Sequence, residues 1–260
     1  MGHSVGGDTE RMMPIVDVRR AGTRFVTRTD WLESRHCFSF GEHYDPDNVG
    51  HGAMLVSNDE LVQAGAGFDD HPHRDAEIVT WVLSGSLVHE DSAGHRGVIY
   101  PGLAQRMSAG RGIVHAERND AYRIDPEEPA EPVRFIQMWL RPDEPGLDPS
   151  YQQRELDLAG LAGSWAPVAS GRDLDAAVTV ATRDASLWVT RLAPGTTRVL
   201  PEAPLLHLYV ARGAVHLEGS GTLAEGDSVR ITGVASLDVT GMSTQKAGDH
   251  AELLVWGMGA

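Results

Sequence analysis

Short runs of alternating apolar and polar residues dominate the chain from residue 20 to residue 140. The runs are separated by Gly, Pro, Asp or Asn, for example in the dipeptides Ser84-Gly85 and Pro101-Gly102. Alternation with a period of two favours half-buried strands, and these separating residues favour turns. The pattern predicts strands at residues 24–27, 53–58, 77–83, 86–90, 97–100, 103–108, 113–117 and 134–140. Many short strands joined by tight turns are typical of a β-sandwich or barrel.

The composition changes after this first β-rich region. Residues 146–159 lie in a stretch rich in Pro, Gly and acidic residues, which is typical of a linker between domains. Beyond it, segments such as LLHLYVARGAVHLEG repeat the strand-turn-strand pattern, as expected for an internal duplication. The sequence therefore predicts an all-β protein with one domain at residues 1–145 and another at residues 160–260. Helix is scarce, with one short candidate at residues 150–157.

Charge and cysteine content narrow the functional classes. The chain of 260 residues has a formal net charge of −15 and no concentrated basic patch, so no nucleic-acid partner is expected. No signal-peptide core and no apolar segment of membrane-spanning length occur, which predicts a cytoplasmic protein without a membrane partner. Because Cys37 is the single cysteine, an internal disulfide and a cysteine-built zinc site are excluded. Its strand-like surroundings favour a buried structural thiol.

Two pairs of metal-ligating residue types occur in predicted strands. His71 and His73 are separated by one residue, and so are His115 and Glu117. Residues i and i+2 of a strand project to the same face, so each pair presents two candidate ligands side by side. Three imidazoles and one carboxylate suit a divalent first-row metal if a barrel brings both pairs to one inner surface. Each pair alone is also consistent with side chains held structurally by hydrogen bonds.

The histidines of the remaining segments are expected to have structural or surface roles. Polar residues around the predicted hairpin tip DSAGH are expected to face water: His89, Glu90, Asp91 and His95. Histidines within strand-like segments are expected to pack the fold: His36, His43, His207 and His216. For His36 and His43, lining the pocket is the alternative. The chain contains no G-x-S-x-G motif, no Walker loop and no dinucleotide-binding glycine motif, which leaves metal chemistry as the candidate.

The spacing around the two pairs resembles the two motifs of the cupin superfamily. Starting at Gly65, the chain is similar to the first motif, G-x5-H-x-H-x3-E-x6-G, with one extra residue in the last spacer. The segment GRGIVHAERN is similar to the second motif, P-x-G-x2-H-x3-N, with Gly110 in place of the proline. The forms HPHRDAE, HEDSAGHRG and MSAGRGIVHAE resemble the pirin family, and within it the bacterial pirin-like quercetinases.

This resemblance covers most of residues 25–155 and implies a bicupin, with two jelly-roll β-barrels in tandem of which only the first holds metal. The metal ligands that it implies are His71, His73, His115 and Glu117. Glu77, a ligand in many other cupins, is then expected beside a ligand or at the surface. The resemblance implies one divalent ion, Fe(II) first. Mn, Co, Ni, Cu and Zn remain open because imidazole and carboxylate accept all of them.

The resemblance also implies a reaction, the 2,3-dioxygenation of a quercetin-like flavonol. In this reaction the 3-hydroxyl of the substrate binds the metal, and dioxygen cleaves the heterocycle with release of carbon monoxide. Glu117 would take the hydroxyl proton and so act as both ligand and base. The alternative within the family is a redox-sensing regulator that binds metal and a protein partner without turnover. A metal-free structural bicupin is the third possibility.

Overall fold

The computed structural model describes residues 14–127, 130–172, 174–234, 236–244 and 250–260, and their regular secondary structure is almost entirely β-strand. The strands up to residue 155 are β1 (Ile15–Arg19), β2 (Phe25–Arg28), β3 (Leu32–His36), β4 (Met54–Val62), β5 (Gly67–His73), β6 (Glu77–Ser84), β7 (Leu87–Asp91), β8 (Arg96–Ile99), β9 (Leu103–Ser108), β10 (Ile113–Arg118), β11 (Val133–Leu140) and β12 (Ser150–Glu155). Those that follow are β13 (Ala166–Ser170), β14 (Val178–Thr179), β15 (Ser186–Leu192), β16 (Thr197–Val199), β17 (Leu205–Arg212), β18 (Ala214–Leu217), β19 (Gly221–Ala224), β20 (Ser228–Thr232), β21 (Asp238–Met242) and β22 (Ala251–Met258).

Helical structure in this part of the chain is limited to short 3₁₀ segments: Ala21–Thr23, Ala121–Arg123 and Leu158–Leu161. Among the described residues, none of these helices has the length or the apolar character needed to cross a membrane.

The strands form two similar pairs of sheets. The first pair combines a seven-stranded sheet, β12-β9-β6-β11-β4-β3-β2, with a four-stranded sheet, β5-β10-β7-β8. The second pair combines β1-β20-β17-β22-β15-β13-β14 with β16-β21-β18-β19, again seven strands and four. Apart from the edge strands of the larger sheets, the strand order of the second pair repeats that of the first, as an internal duplication predicts. The prediction of an all-β protein with two jelly-roll barrels is confirmed.

Two edge strands, β12 and β1, do not follow the predicted domain boundaries. Residues 150–157 were predicted as a short helix, and this prediction is wrong, since Ser150–Glu155 forms β12 and pairs antiparallel with β9. The open edge of β9 supplies backbone partners, and this tertiary pairing overrides the weak local preference. β12 thus lies within the predicted linker, and β1 extends the seven-stranded sheet of the second barrel by pairing with β20.

The two seven-stranded sheets share one large hydrophobic core. This core includes Trp81 and Met138 from the first barrel and Tyr209 and Trp256 from the second. Cys37 belongs to the same core and is buried, as predicted. Separate apolar clusters fill the inside of each barrel. Because the larger sheet of each barrel is covered by the other barrel, the four-stranded sheet of the first barrel, which carries the candidate ligands, lies away from this interface.

Buried polar side chains also connect the two barrels. The hydroxyl of Tyr209 donates to Asp59 over 2.6 Å, and the indole N–H of Trp81 donates to Glu252 over 2.8 Å. Glu252 accepts a further hydrogen bond from Arg191 at 2.8 Å. Asp59 likewise accepts from Arg134 of its own barrel at 2.8 Å. Each of these buried carboxylates is therefore satisfied by donors on both sides of the interface, which fixes how the barrels meet.

Candidate metal centre

The four-stranded sheet of the first barrel brings the two predicted pairs together. β10 is paired on one side with β5 and on the other with β7. His115 lies opposite His71 on β5 and opposite Asp91 on β7. Directly opposite residues on antiparallel strands have side chains on the same face. The register therefore collects polar side chains from three strands on one surface.

A β-bulge adjusts this surface. Between His115 and Glu117 the pairing with β5 shifts, so that Glu117 lies opposite Phe68 while His115 lies opposite His71. A bulge inserts one extra residue into a strand, and here the extra residue lies in β5. Phe68 and His71, three positions apart, can therefore both line the candidate pocket. Without the extra residue they would project to opposite faces.

The three histidines of the prediction form a compact group. The ring centroids of His71 and His115 are 4.4 Å apart, those of His71 and His73 are 4.8 Å apart, and those of His73 and His115 are 4.9 Å apart. One nitrogen from each ring lies within 4.8 Å of the others. Ligand atoms of Glu117, His115 and His89 also lie within 4.8 Å of one another. They form a second group, and His115 belongs to both groups.

The free nitrogen and oxygen atoms of these side chains fit a metal ion. Nε2 of His73, Nε2 of His115 and Oε1 of Glu117 are buried and have no hydrogen-bond partner among the described residues. Nδ1 of His71 donates to the backbone carbonyl of Asp69 over 2.7 Å, since a carbonyl can only accept. In a neutral ring this leaves Nε2 of His71 with its lone pair. Buried polar atoms without partners are costly unless something binds them, and a divalent cation would do so.

Burial also keeps two of the imidazoles in the form that a metal requires. It lowers the pKa of His73 to about 3, with the neighbouring rings of His115 and His71 adding to the effect. Burial likewise lowers the pKa of His115 to about 3, assisted by His71 and His89. Both rings are therefore neutral near pH 7, and metals bind the unprotonated nitrogen. Burial raises the pKa of Glu117 from its usual value.

The orientation of Glu117 is fixed by its neighbours on β11. The indole N–H of Trp139 donates to the amide oxygen of Gln137 over 3.0 Å. Because an indole can only donate, this contact assigns the oxygen of Gln137 and turns its NH₂ group towards Glu117. That NH₂ group donates to Oε2 of Glu117 over 2.6 Å. Oε1 is then the atom of Glu117 that remains for a metal or a substrate proton.

A cavity of about 240 Å³ opens beside this group. Candidate ligands His71, His73 and Glu117 occupy one part of its wall. The apolar part of its wall is formed by Leu32, Phe40, Phe68 and Trp139. A larger cavity of about 540 Å³ lies elsewhere on the first barrel, beside Tyr100 and Ile124, and none of the candidate ligands lines it. The smaller cavity is the one of these two that brings the candidate ligands together with aromatic walls, and it suits a small planar molecule.

The opposite wall of the cavity carries polar residues that the sequence did not reveal. His36 was expected to pack the fold, but it lines the cavity, where its ring bonds Thr27 at 2.9 Å and Asn58 at 3.0 Å. Glu60 lines the same wall and accepts from Ser34 over 2.9 Å. Burial raises the pKa of Glu60 to about 8. The alternation of polar residues along β3 and β4 indicates a polar face directed into the barrel. It does not predict which cavity this face lines.

The expected exposure of His89 and Asp91 is wrong, since neither side chain is accessible to solvent. The hairpin itself forms as predicted between β7 and β8, and Glu90 remains exposed at its side. His89 and Asp91 point inward because they alternate with Glu90 on a strand that pairs with β10. The spacing His-x-Asp was present in the sequence, but its proximity to His115 depends on a pairing of distant strands.

Two further residues differ from expectation. Glu77 lies neither at the surface nor among the grouped histidines, because it is buried and accepts from Ser108 at 2.8 Å and from the backbone of Ala181 at 3.0 Å. It therefore joins the two barrels. His207 is buried in β17, in agreement with a packing role, whereas His216 is exposed on β18.

Comparisons with known proteins add an independent finding. The sequence model of the family Pirin matches residues 17–140. A protein of Mycobacterium tuberculosis that is provisionally named a quercetin 2,3-dioxygenase is 53% identical, over 96% of this chain and 97% of the relative. The quercetin 2,3-dioxygenase of Escherichia coli is 41% identical over 55% of this chain and 59% of that protein. The crystal structure of the bacterial pirin YhhW from Escherichia coli in complex with nickel(II) matches with a TM-score of 0.81 at 30% identity, covering 95% of this chain and 100% of that chain.

Proposed function

The chain belongs to the pirin family, and from this premise we propose that it is a metal-dependent dioxygenase that cleaves quercetin-like flavonols with dioxygen. The observation that carries the proposal is the convergence of buried ligand atoms without partners on a cavity with aromatic walls. The proposed reaction is taken from the names of the relatives, and the geometry of this chain indicates where the reaction would occur.

In this proposal one divalent ion is held by His71, His73, His115 and Glu117. The three imidazoles are neutral donors and Glu117 adds one negative charge, so a divalent ion would retain a net positive charge that favours an anionic oxygen of the substrate. When bound, such an ion would supply Lewis acidity and redox chemistry to the substrate and dioxygen. We propose Fe(II) as the native metal because of the family resemblance, and the nickel complex of YhhW is consistent with a site of this family that accepts more than one divalent ion.

The cavity walls would orient a flat, partly polar substrate. Phe40, Phe68 and Trp139 offer apolar and aromatic surface to the rings of a flavonol. The polar wall formed by His36 and Glu60 would face the hydroxyl and carbonyl groups of such a substrate. Few polar groups in an otherwise apolar cavity fix orientation, as small-molecule sites generally require.

Glu117 is the proposed base. Its Oε2 is occupied by the amide of Gln137, so the roles of ligand and base both fall to Oε1, of which one lone pair would face the metal and the other would accept the proton of the 3-hydroxyl. In the metal-free protein, burial raises the pKa of Glu117 from its usual value. Glu117→Gln should keep the shape of the site but lose flavonol turnover, with Glu90→Gln on the exposed side of β7 as the control. Retention of both metal and full turnover by Glu117→Gln would remove the base assignment.

The central experiment measures metal content and turnover on the same samples. Elemental analysis of the wild type should give about one ion per chain, and His71→Ala and His115→Ala should abolish that stoichiometry. The exposed His216→Ala is the matched control. Quercetin consumption should be accompanied by oxygen uptake and carbon monoxide release in the metal-loaded wild type. Stoichiometric metal without turnover would instead favour the redox-sensing alternative, and absence of metal from the wild type would favour a structural bicupin.

A further inference from the structure

A buried chain of polar side chains extends from His115 away from the cavity. Nδ1 of His115 lies 3.4 Å from Nδ1 of His89. Nε2 of His89 lies 3.3 Å from Oδ2 of Asp91, and both of these side chains are completely buried. Asp91 is also contacted by Nδ1 of His95 at 2.9 Å, where the chain reaches the partly exposed surface. These contacts lie on the side of His115 opposite its unpartnered Nε2.

The register of the sheet produces this chain. Asp91 lies directly opposite His115 on the paired strands β7 and β10, and His89 lies directly opposite Glu117. The ring of Tyr151 on β12 stacks on His89 with centroids 4.8 Å apart and an interplanar angle of 25°. His89 is thus held between Tyr151 and His115, and its ring has little freedom to rotate.

The position of each proton in the chain follows from the charge of Asp91. Oδ1 of Asp91 accepts hydrogen bonds from the backbone N–H groups of Ala93 at 2.9 Å and His95 at 3.0 Å, and such donors favour the ionised carboxylate. An ionised carboxylate only accepts, so Nε2 of His89 carries a proton. In a neutral ring the Nδ1 of His89 is then an acceptor, and Nδ1 of His115 must be the donor. Nε2 of His115 is consequently left as a bare lone pair, and this buried atom has no hydrogen-bond partner among the described residues.

We propose that Asp91 and His89 are positioning residues, which hold His115 in the tautomer that can bind a metal and thereby strengthen metal binding. The inference rests on the proposed metal centre but not on the proposed dioxygenase reaction. Ligand histidines generally donate their second N–H to a neighbouring acceptor, and loss of that acceptor typically weakens metal binding by about 10- to 100-fold. A buried histidine placed between the ligand and the carboxylate extends this arrangement by one ring.

Asp91→Asn is the sharpest test because it reverses the donors. The backbone N–H groups of Ala93 and His95 donate to Oδ1, so the amide oxygen of the asparagine takes that position and its NH₂ group faces Nε2 of His89. That nitrogen must then accept, and the remaining proton moves to Nδ1 of His89. His115 then has to accept at Nδ1 and carry its proton on Nε2, the atom that would bind the metal. Nitrogen-resolved NMR of the imidazoles in the metal-free protein should show His115 protonated at Nδ1 in the wild type and at Nε2 in Asp91→Asn. An unchanged tautomer in this variant would overturn the proposal.

Asp91 also accepts hydrogen bonds from backbone N–H groups of the hairpin turn, so its substitution could alter the turn. Substitutions at His89 test the same chain of side chains and leave these hydrogen bonds in place. His89→Gln keeps an acceptor for His115 and a donor for Asp91, whereas His89→Leu keeps neither. Nickel affinity, measured by competition with a chelator, should fall by about 10- to 100-fold in His89→Leu and be largely restored in His89→Gln. Glu90→Gln, on the exposed face of the same strand, should bind nickel like the wild type.

The possible outcomes separate this proposal from the proposed function. Equal nickel affinity in the wild type and His89→Leu would overturn the role of His89. Loss of nickel in both His89 variants, together with a metal-shifted His89 signal in the wild type, would make His89 a ligand rather than a positioning residue. If the wild type bound no nickel, the proposed metal centre would fail, while the tautomer measurement on metal-free protein would still decide whether the chain orders His115.

Discussion

Substitution of Glu60 by glutamine should stabilise the metal-free protein in a strongly pH-dependent way. Glu60 is 4% exposed on the cavity wall, and its Oε2 has no hydrogen-bond partner among the described residues. Burial raises its pKa from 4.5 to about 8, so the folded protein keeps a proton there that the unfolded chain releases above pH 4.5. A raised carboxyl pKa means that folding stability falls as the pH rises through this window. Glutamine keeps the size of the side chain and the oxygen that accepts from Ser34, but it has no proton to lose.

The magnitude follows from the width of the window. Each pH unit between the two pKa values costs about 1.4 kcal/mol of folding free energy. At pH 7 the accumulated cost for Glu60 is about 3 kcal/mol, and below pH 4.5 it vanishes. Relative to the wild type, Glu60→Gln should therefore gain about 3 kcal/mol between pH 4.5 and pH 7.

Urea unfolding of both metal-free proteins, followed by tryptophan fluorescence at several pH values, measures this difference. Glu33→Gln is the control, because hydrogen bonds from Arg28 and Arg35 lower the pKa of this glutamate and so give it the opposite pH dependence. A difference between Glu60→Gln and the wild type that stays constant from pH 4.5 to pH 7 would refute the argument that Glu60 is protonated in the folded protein.

Three further outcomes are expected. Trp81→Phe should lower the free energy of unfolding by about 1–3 kcal/mol, because Glu252 loses a buried donor, and a urea titration at pH 7 with a change near zero would contradict this. Gln137→Leu should weaken nickel binding in a competition titration, because it frees Glu117 from its orienting hydrogen bond, and equal affinity would show that this bond is unimportant. Nickel should raise the melting temperature of the wild type but not that of His115→Ala, since a ligand that binds the folded form stabilises it, and equal shifts would place the ion elsewhere.

The sequence by itself determined the class of fold and the most visible part of the candidate site. Alternating runs with turn residues between them encode strands through local side-chain preferences, so the β7–β8 hairpin and the all-β architecture could be predicted. The spacings His71-x-His73 and His115-x-Glu117 place each pair on one face of a strand, because side-chain direction alternates with every residue. These conclusions need only local geometry.

Tertiary structure decided how these local pieces meet. The register of β10 between β5 and β7 joins His71, His115 and Asp91 in one row, and no local pattern specifies which distant strands pair or in what register. The same non-local pairing buries His89, which local reasoning assigned to solvent. The other sheet of the barrel, through β4, brings Glu60 to the wall of the ligand cavity. Burial then shifts proton affinities, because the cost of a charge depends on the surrounding groups rather than on the residue type. The chemistry of the site therefore arises from contacts between segments far apart in the chain.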